Sequence, residues 1–271
     1  ILSGVSGLTL CILLGKRSGY GRTAMLPHNL PMTVLGASIL WFGWFGFNAG
    51  SALGANALAA SAFVVSQAAA AAATVSWVLM EWKFNGKPTV LGAVSGCIAG
   101  LVAITPAAGF VEPLPAIIIG LIGGGICYFA VAVLKDKLGY DDSLDAFGIH
   151  GIGGTWGSLA TGLWATTGVN PAGANGLFYG ETDLFVAQVI STVVAYALAI
   201  VGTFILFKIV SAICDVRADE SEELAGLDIV EHGERGYGRS VVGGTIMGSF
   251  EDSSEMLANT VMKVNAKGGA V

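Results

Sequence analysis

Long charge-free apolar runs, separated by short segments rich in Gly, Pro and Asn, dominate the chain up to residue 214. No Asp, Glu, Lys or Arg occurs in residues 23–80, 89–111, 113–134, 146–180 or 184–207. Each run exceeds the roughly 20 residues that a helix needs to cross a bilayer, and the first is long enough to cross twice. The pattern predicts six spanning helices, at about 33–52, 56–80, 89–109, 115–134, 145–166 and 184–213.

A shorter apolar segment, residues 1–14, precedes these runs and is followed by Lys16 and Arg17. It is too short to span a bilayer by itself. One interpretation is a re-entrant or interfacial piece. The interpretation favoured here is the second part of a spanning helix that begins upstream of Ile1.

The basic residues alternate with the predicted spans. Lys and Arg occur in the first, third and fifth connections, at Lys208 near the end of the last span, and in the tail after it, whereas the second, fourth and sixth connections contain none. All 13 basic residues then fall on one side of the membrane, and by the positive-inside rule that side is cytoplasmic. We predict a multi-pass protein of the plasma membrane, with a transmembrane domain over residues 1–214 and a cytoplasmic C-terminal tail over residues 215–271.

Composition agrees with a membrane protein. Hydrophobic residues make up 54% of the chain and charged residues 12%, with a mean hydropathy of +0.73. Ordinary soluble domains carry about twice this share of charge, so a soluble enzyme, a disordered chain and a secreted disulfide scaffold are excluded. Small residues at four-residue spacing favour helices packed backbone to backbone, and this spacing occurs in Gly92/Gly96/Gly100, Gly120/Gly124 and Gly153/Gly157.

His150 is an ionisable residue inside a predicted span, where such groups are costly and often functional. At 100° per residue, Ala146, Gly153, Gly154 and Gly157 share its face, which predicts open space around the imidazole. A neutral imidazole offers one donor and one acceptor, which suits a small neutral solute or a proton relay. A core histidine bonded to a neighbouring helix is the alternative, and the residues alone do not decide between them.

Leu40, Trp44, Phe47 and Ser51 form one stripe of a helix along the first predicted span. Such an aromatic stripe is usually core or lipid-facing. Here it ends in a hydroxyl near the outer end of the span, where aromatic faces and a hydroxyl could hold a small cation before it loses its water.

Other polar residues have simpler interpretations. Asp142 and Asp145 lie at the beginning of the helix that carries His150, where carboxylates ordinarily cap free amides and favour the helix dipole. Asn56 and Gln67 are interpreted as interhelical hydrogen-bonding groups. No cofactor or metal is expected, because no Walker motif, HExxH or GxSxG sequence and no metal-ligand set occurs.

Six blocks in order resemble the ammonium transporter family. They are PHNLP at 27–31, GWFGFNAGS at 43–51, EW at 81–82 with GKP at 86–88, GLVAITP at 100–106, DAFGIHG at 145–151, and GLD at 226–228 with HGE at 232–234. The resemblance runs from Ile1 to about Arg239 and favours the microbial and plant-like branch over Rhesus-type relatives. It implies an all-α, eleven-helix bundle of which about six and a half helices are present, assembled as a homotrimer with one pore in each subunit.

The resemblance also implies residue roles. His150 matches the second of two paired pore histidines, and the first is expected immediately before Ile1. Ser51 matches a hydroxyl of an outer ammonium-recruiting site, and Phe47 matches one of two stacked phenyl gates. The remaining matches are pore lining at Trp44, Leu40 and Thr105, and acidic residues at the inner end of the histidine helix at Asp142 and Asp145.

The tail is similar to the family only in its first part, residues 226–239, which resembles a segment that couples neighbouring subunits. Val230 stands where similar plant proteins have a phosphorylatable threonine, so that switch is not expected. Residues 240–271 match nothing recognised and are interpreted as a solvated or weakly helical extension. The matching tail residues are Gly226, Leu227, Asp228, His232, Gly233, Glu234 and Tyr237.

The resemblance implies transport of ammonium or methylammonium across a lipid bilayer. Ammonium would be recruited at the outer site, deprotonated near Phe47 and conducted past His150. A PII-type regulatory protein at the cytoplasmic face is the implied partner, and no nucleic acid is expected. The alternatives are an ammonium sensor that signals through its C-terminal tail and an intramembrane enzyme, for which no second catalytic group stands near His150.

Overall fold

The computed structural model describes residues 1–236 and the backbone of two short strands at 241–242 and 245–246. It divides into two compact units. The first comprises Ile1–Lys16 and Ala24–Cys214, and the second comprises Arg17–Thr23 with the tail from Asp215 onward.

The first unit is helical, with a helix at each predicted span. Two π-helical turns, Ala130–Leu134 and Phe147–Gly151, interrupt the α-helical geometry, and a 3₁₀ turn covers Leu177–Tyr179. The helices are α1 (Leu2–Leu14), α2 (Leu30–Gly50), α3 (Ala57–Asn85), α4 (Val90–Ile104), α5 (Pro113–Phe129), α6 (Lys135–Leu138), α7 (Ile152–Trp164) and α8 (Asp183–Ser211).

Four stretches are long and apolar enough to cross a membrane: Leu30–Gly50, Ala57–Asn85, Pro113–Leu138 and Asp183–Ser211. The predicted span 89–109 is shorter as a helix. Its helix α4 ends at Ile104, because Pro106 has no N–H to continue the ladder. The predicted span 145–166 is also shorter as an α-helix, because it begins with a π-helical turn and its helix α7 ends at Trp164.

Helix α3 begins at a polar cap. Asn56 was expected to bond a neighbouring helix, but its side chain accepts the backbone N–H of Ala59 at 3.0 Å and caps its own helix. An Asn before the first helical turn satisfies one of the amides that have no intrahelical partner, and this local bond competes with a bond to another helix. Gln67 lies exposed on the same helix.

Small residues bring α3 into backbone contact with α4 and α5, as predicted from the glycine spacing. Ala69 is fully buried at the centre of this packing. A Cβ added at Gly100 of α4 would lie 2.5 Å from the Ala69 carbonyl oxygen, and one added at Gly120 of α5 would overlap the same oxygen. Because lipid supplies no hydrophobic drive between helices, such close van der Waals packing is a main source of their association.

Helix α8 packs on α1 and α7 with two polar pairs. Thr203 donates to Ser6 of α1 at 2.9 Å, and the hydroxyls of Tyr196 and Thr155 of α7 lie 3.0 Å apart. These pairs satisfy hydroxyls in an apolar environment and fix the rotation of α8 against its neighbours.

The second unit contains the loop Arg17–Thr23, the short helices α9 (Glu220–Ala225) and α10 (Leu227–His232), and an antiparallel pair of two-residue strands, β1 (Val241–Val242) and β2 (Thr245–Ile246). Glu223 of α9 ties the loop to the tail. Its carboxylate accepts the Ser18 backbone N–H at 2.7 Å and the Arg217 guanidinium at 2.7 Å. Apart from the two strands, the extension predicted at 240–271 lies outside the described residues.

Candidate functional site

An apolar cavity of about 830 Å³ opens among α1, α2, α4, α7 and α8. Most of its lining is aliphatic or aromatic, with an imidazole and a few hydroxyls. The lining residues are Ile1, Leu2, Ser3, Leu40, Gly43, Trp44, Phe47, Val102, Thr105, Pro106, His150, Gly154, Ser158 and Ala195.

Three of the four residues of the predicted stripe, Leu40, Trp44 and Phe47, line this cavity from one face of α2. The Trp44 and Phe47 rings meet edge to face, with centroids 5.8 Å apart and planes at 77°. This geometry is the favoured one for aromatic pairs, so the two rings hold each other in place along the cavity wall.

His150 faces the same cavity from the π-helical turn Phe147–Gly151. Its imidazole is half-buried and lies nearly parallel to the Trp44 ring, with centroids 6.5 Å apart and planes at 17°. The cavity thus places an imidazole opposite an aromatic wall.

The prediction of open space around His150 was partly wrong. Gly154 lines the cavity, but a Cβ added at Gly153 would lie 3.0 Å from Cys127 Sγ, and one added at Gly157 would overlap the Ala103 carbonyl oxygen of α4. Those two glycines face packed helices. The projection at 100° per residue failed because π-helical i→i+5 bonds change the number of residues in a turn.

Asp142 caps the helix that carries His150. Its two carboxylate oxygens accept the backbone N–H groups of Ala146 at 3.1 Å and Phe147 at 2.7 Å. A carboxylate there satisfies otherwise unpaired amides and interacts favourably with the helix dipole.

Asp145, three residues later, forms an ion pair with Lys135 of α6. Its backbone is left-handed, with φ of 57°, a conformation that Asp tolerates better than most residues. The two carboxylates therefore have different partners: one holds backbone amides and the other holds a lysine.

Ser51 lies outside the lining of the cavity, one turn beyond Phe47 at the end of α2. Its hydroxyl donates to the Phe47 carbonyl at 2.6 Å and is exposed. Because the hydroxyl hydrogen is used within the helix, the oxygen presents lone pairs outward, as an acceptor for a cationic N–H group.

Sequence reasoning missed a polar pair behind this end of α2. The Asn48 amide donates to Ser66 of α3 at 2.8 Å, and Ser66 donates to the Ala62 carbonyl at 2.7 Å. Both side chains are buried. An amide inside an apolar span is a signal for such a pair, although the spacing does not identify its partner.

The predicted tail residues belong to the second unit. Gly226 and Gly233 have positive φ of 97° and 65° and end the two short helices α9 and α10. The Asp228 carboxylate accepts the Gly236 backbone N–H at 3.0 Å, and this bond lowers the pKa of Asp228. The other predicted residues here are Leu227, His232 and Glu234, whereas Tyr237 lies outside the described residues.

Comparison with known proteins identifies the relatives of this chain. The family model described as Ammonium Transporter Family matches residues 1–237. An ammonium transporter of Bacillus subtilis is 57% identical over 237 residues, which cover 88% of this chain and 58% of that protein.

Two solved structures are also similar. The crystal structure of Mep2 from Saccharomyces cerevisiae has a TM-score of 0.73 and 38% identity, and the match covers 78% of this chain and 50% of that one. A structure titled Sensor Amt Protein has a TM-score of 0.76 and 28% identity, and the match covers 84% of this chain and 57% of that one.

The chain therefore spans less than two thirds of the length of the proteins it matches. The matched family is one of transporters and not of enzymes, so the enzyme alternative is set aside. Together with the helices able to cross a membrane, the match identifies a multi-pass membrane protein.

Proposed function

Because the chain belongs to the ammonium transporter family, we propose that it forms part of a pathway that moves ammonium or ammonia across a membrane. The observation that carries the proposal is the apolar cavity in which Leu40, Trp44 and Phe47 stand opposite His150. Its curated relative is named as an ammonium transporter, and the same cargo suits the chemistry of the cavity.

Recruitment would occur at the exposed end of α2. There the Ser51 oxygen can accept an N–H bond from ammonium, and the neighbouring Phe47 ring can attract the cation through its π face. The buried bond between Asn48 and Ser66 holds this end of α2 against α3, so the two recruiting groups keep a fixed separation.

Selection would follow from the lack of charge in the cavity. Taking an unpaired ammonium-sized ion out of water into a medium of low dielectric costs on the order of tens of kcal/mol by Born estimates. Potassium faces a similar cost. Ammonium alone can avoid it by giving up a proton before it enters, and neutral ammonia can then pass along the apolar wall.

His150 would assist the neutral solute. A neutral imidazole can accept one hydrogen bond and donate another, so it offers ammonia a polar contact without a permanent charge. The Trp44 ring lies nearly parallel to the imidazole, with centroids 6.5 Å apart, and offers the solute an apolar surface. A relay of the released proton through His150 is the further step that the family resemblance suggests.

Reconstitution of the full-length protein in proteoliposomes tests this function. Wild type is expected to carry ammonium and exclude potassium, whereas His150→Ala is expected to lose the ammonium current or its exclusion of potassium. His28→Ala, an exposed histidine outside the cavity, serves as the control and is expected to behave as wild type. An unchanged current with unchanged exclusion in His150→Ala would remove His150 from the mechanism.

Assembly and orientation are part of the same proposal. A homotrimer in the plasma membrane, a cytoplasmic C-terminus and a PII-type regulatory partner are supported by the family resemblance, and the cytoplasmic tail also by the positive-inside pattern. The sensor alternative is not favoured, because the curated relative of higher identity is named as a transporter.

A further inference from the structure

Two polar side chains in the cavity wall use their hydrogens on protein groups. The Trp44 indole Nε1–H donates to Thr105 Oγ1 at 2.8 Å, and the Thr105 hydroxyl donates to the Leu101 carbonyl at 2.7 Å. The bonds run in one direction, from the indole to the hydroxyl to a backbone carbonyl of α4. Neither side chain keeps a hydrogen to offer to a solute.

The same bond fixes how the indole stands in the cavity. Its N–H edge is held by Thr105, one face lies parallel to His150, and the Phe47 ring meets it edge to face. The hydrogen bond joins α2 to the end of α4 across 61 residues of sequence. Since ring contacts alone leave an indole free to turn about its Cβ–Cγ bond, the polar anchor decides which edge faces the cavity.

We propose that Thr105 is a positioning residue that acts through Trp44. It keeps the indole N–H turned out of the cavity, so that a solute beside His150 meets an aromatic face and not a hydrogen-bond donor. The inference rests on the proposed transport function. It adds to that function the residue that keeps water from binding to the cavity wall at Trp44.

Substitution of Thr105 by Val isolates this role. Valine has nearly the shape of threonine and carries a methyl group in place of the hydroxyl. The Leu101 carbonyl keeps a partner, because the Thr105 backbone N–H also bonds to it at 3.2 Å. The indole N–H alone loses its acceptor, and an unpaired donor at a cavity wall binds water or turns toward a polar solute.

Transport by the full-length protein in proteoliposomes is the first readout. Ammonium current in Thr105→Val is expected to fall about fivefold to tenfold, the factor that the loss of one ordinary hydrogen bond represents. Discrimination against potassium should fall with it, because bound water lowers the cost of admitting an ion. Thr105→Ser keeps the hydroxyl and should restore both quantities.

A double-mutant comparison separates positioning from a direct or merely structural role. Phenylalanine at position 44 has no N–H for Thr105 to hold, so Thr105→Val should have no further effect in a Trp44→Phe background. Transport by Thr105→Val equal to wild type, or an equal loss in both backgrounds, would overturn the proposal.

A third readout does not depend on transport. In protein labelled with ¹⁵N-tryptophan, the Trp44 indole resonance is assigned by its absence in Trp44→Phe. It is expected to shift and to exchange faster with deuterium in Thr105→Val, but not in Thr105→Ser. An unchanged resonance in Thr105→Val would contradict the hydrogen bond between Trp44 and Thr105. If wild type carried no ammonium, the proposed function would fail while this readout still tested the positioning of Trp44.

Discussion

At the scale of single residues, polar side chains inside the first unit bond to each other across helices. Asn48 of α2 reaches Ser66 of α3, and Trp44 of α2 reaches Thr105 at the end of α4. Because lipid offers no alternative partner, each bond favours one rotation of one helix against another. The two bonds on α2 lie on either side of Phe47 and therefore fix the face that this helix presents to the cavity.

Loss of the acceptor for Asn48 should destabilise the protein. Ser66→Ala leaves a buried amide donor unpaired, and we expect about 0.5–2 kcal/mol of lost stability, the range for interhelical hydrogen bonds and unsatisfied buried donors. Thermal unfolding of the purified protein in detergent measures the change. Ser38→Ala is the matched control, because its exposed hydroxyl bonds to the Val34 carbonyl of its own helix. Equal effects of the two substitutions would count against the pair.

The stripe on α2 and the candidate histidine could be read from sequence, but the bonds that orient them could not. Helical spacing predicts that Leu40, Trp44 and Phe47 share a face, and three lining positions on one helix follow from that alone. The partners Ser66 and Thr105 lie on other helices, whose rotations depend on packing that local spacing does not encode. The same limit explains Asn56, where a local cap replaced the expected interhelical bond.

At the scale of elements, glycines and alanines let α3 lie in backbone contact with α4 and α5. Gly100 and Gly120 approach the same Ala69 carbonyl from two helices. The four-residue spacing of the glycines predicted this packing, because residues at i and i+4 lie on one face of a helix. The π-helical turn at His150 was not predictable from that rule, since its extra residue per turn breaks the spacing on which the rule depends.

A methyl group added at the contact between α5 and α3 should separate the helices. Gly120→Ala puts a Cβ into the Ala69 backbone, and we expect a loss of about 1–3 kcal/mol, the usual range for overpacking. Gly125→Ala on the same helix is the control, because its Cβ would meet Ser76 Oγ at an ordinary 3.6 Å. Thermal unfolding of the two variants in the same detergent makes the comparison, and a Gly125 variant at least as unstable as the Gly120 variant would refute the close contact.

The cap on the histidine helix gives a second prediction at this scale. Asp142→Ala frees the amides of Ala146 and Phe147, and we expect a loss of about 0.5–2 kcal/mol, as for other side chains that bond free amides at the start of a helix. Asp142→Asn keeps one acceptor oxygen and should lose less.

Transport measured beside thermal stability shows whether the cap also positions His150. Asp136→Ala, an exposed carboxylate on α6, is the control and should change neither quantity. If Asp142→Ala were as stable as the Asp136 variant, the result would contradict the stabilising role given to Asp142.

At the scale of the whole molecule, the two units differ in the interactions found within them. The first unit surrounds an apolar cavity, and the second is held together by carboxylates on exposed loop and tail segments. The size of the cavity and the side chains that line it depend on how the helices pack, and spacing along the sequence does not predict them.

Attachment of the loop Arg17–Thr23 to the tail should weaken in acid. The Ser18 backbone N–H and then Arg217 lower the pKa of Glu223 below the ordinary carboxyl value of about 4.3. A group with a lowered pKa in the folded state stabilises it above the ordinary value and loses this effect as pH falls through the lowered one. Resistance of the loop to proteolysis should thus be constant at neutral pH and fall only below about pH 4.

A neutral substitution tests the same contact without acid. Glu223→Gln should expose the loop at Arg17–Thr23 to proteolysis at pH 7, because a neutral amide accepts the Ser18 N–H more weakly than a carboxylate and forms no ion pair with Arg217. Glu220→Gln, at an exposed residue of the same helix, should not. Equal cleavage of both variants would contradict the role given to Glu223.

Exclusion of potassium is the central consequence of the proposed conduction through an uncharged cavity. The direct measurement is the current of the full-length protein in a supported bilayer, recorded in turn with ammonium, methylammonium and potassium at equal concentration. We expect currents with the first two and none above background with potassium, since potassium has no proton to give up. A potassium current as large as the ammonium current would contradict it.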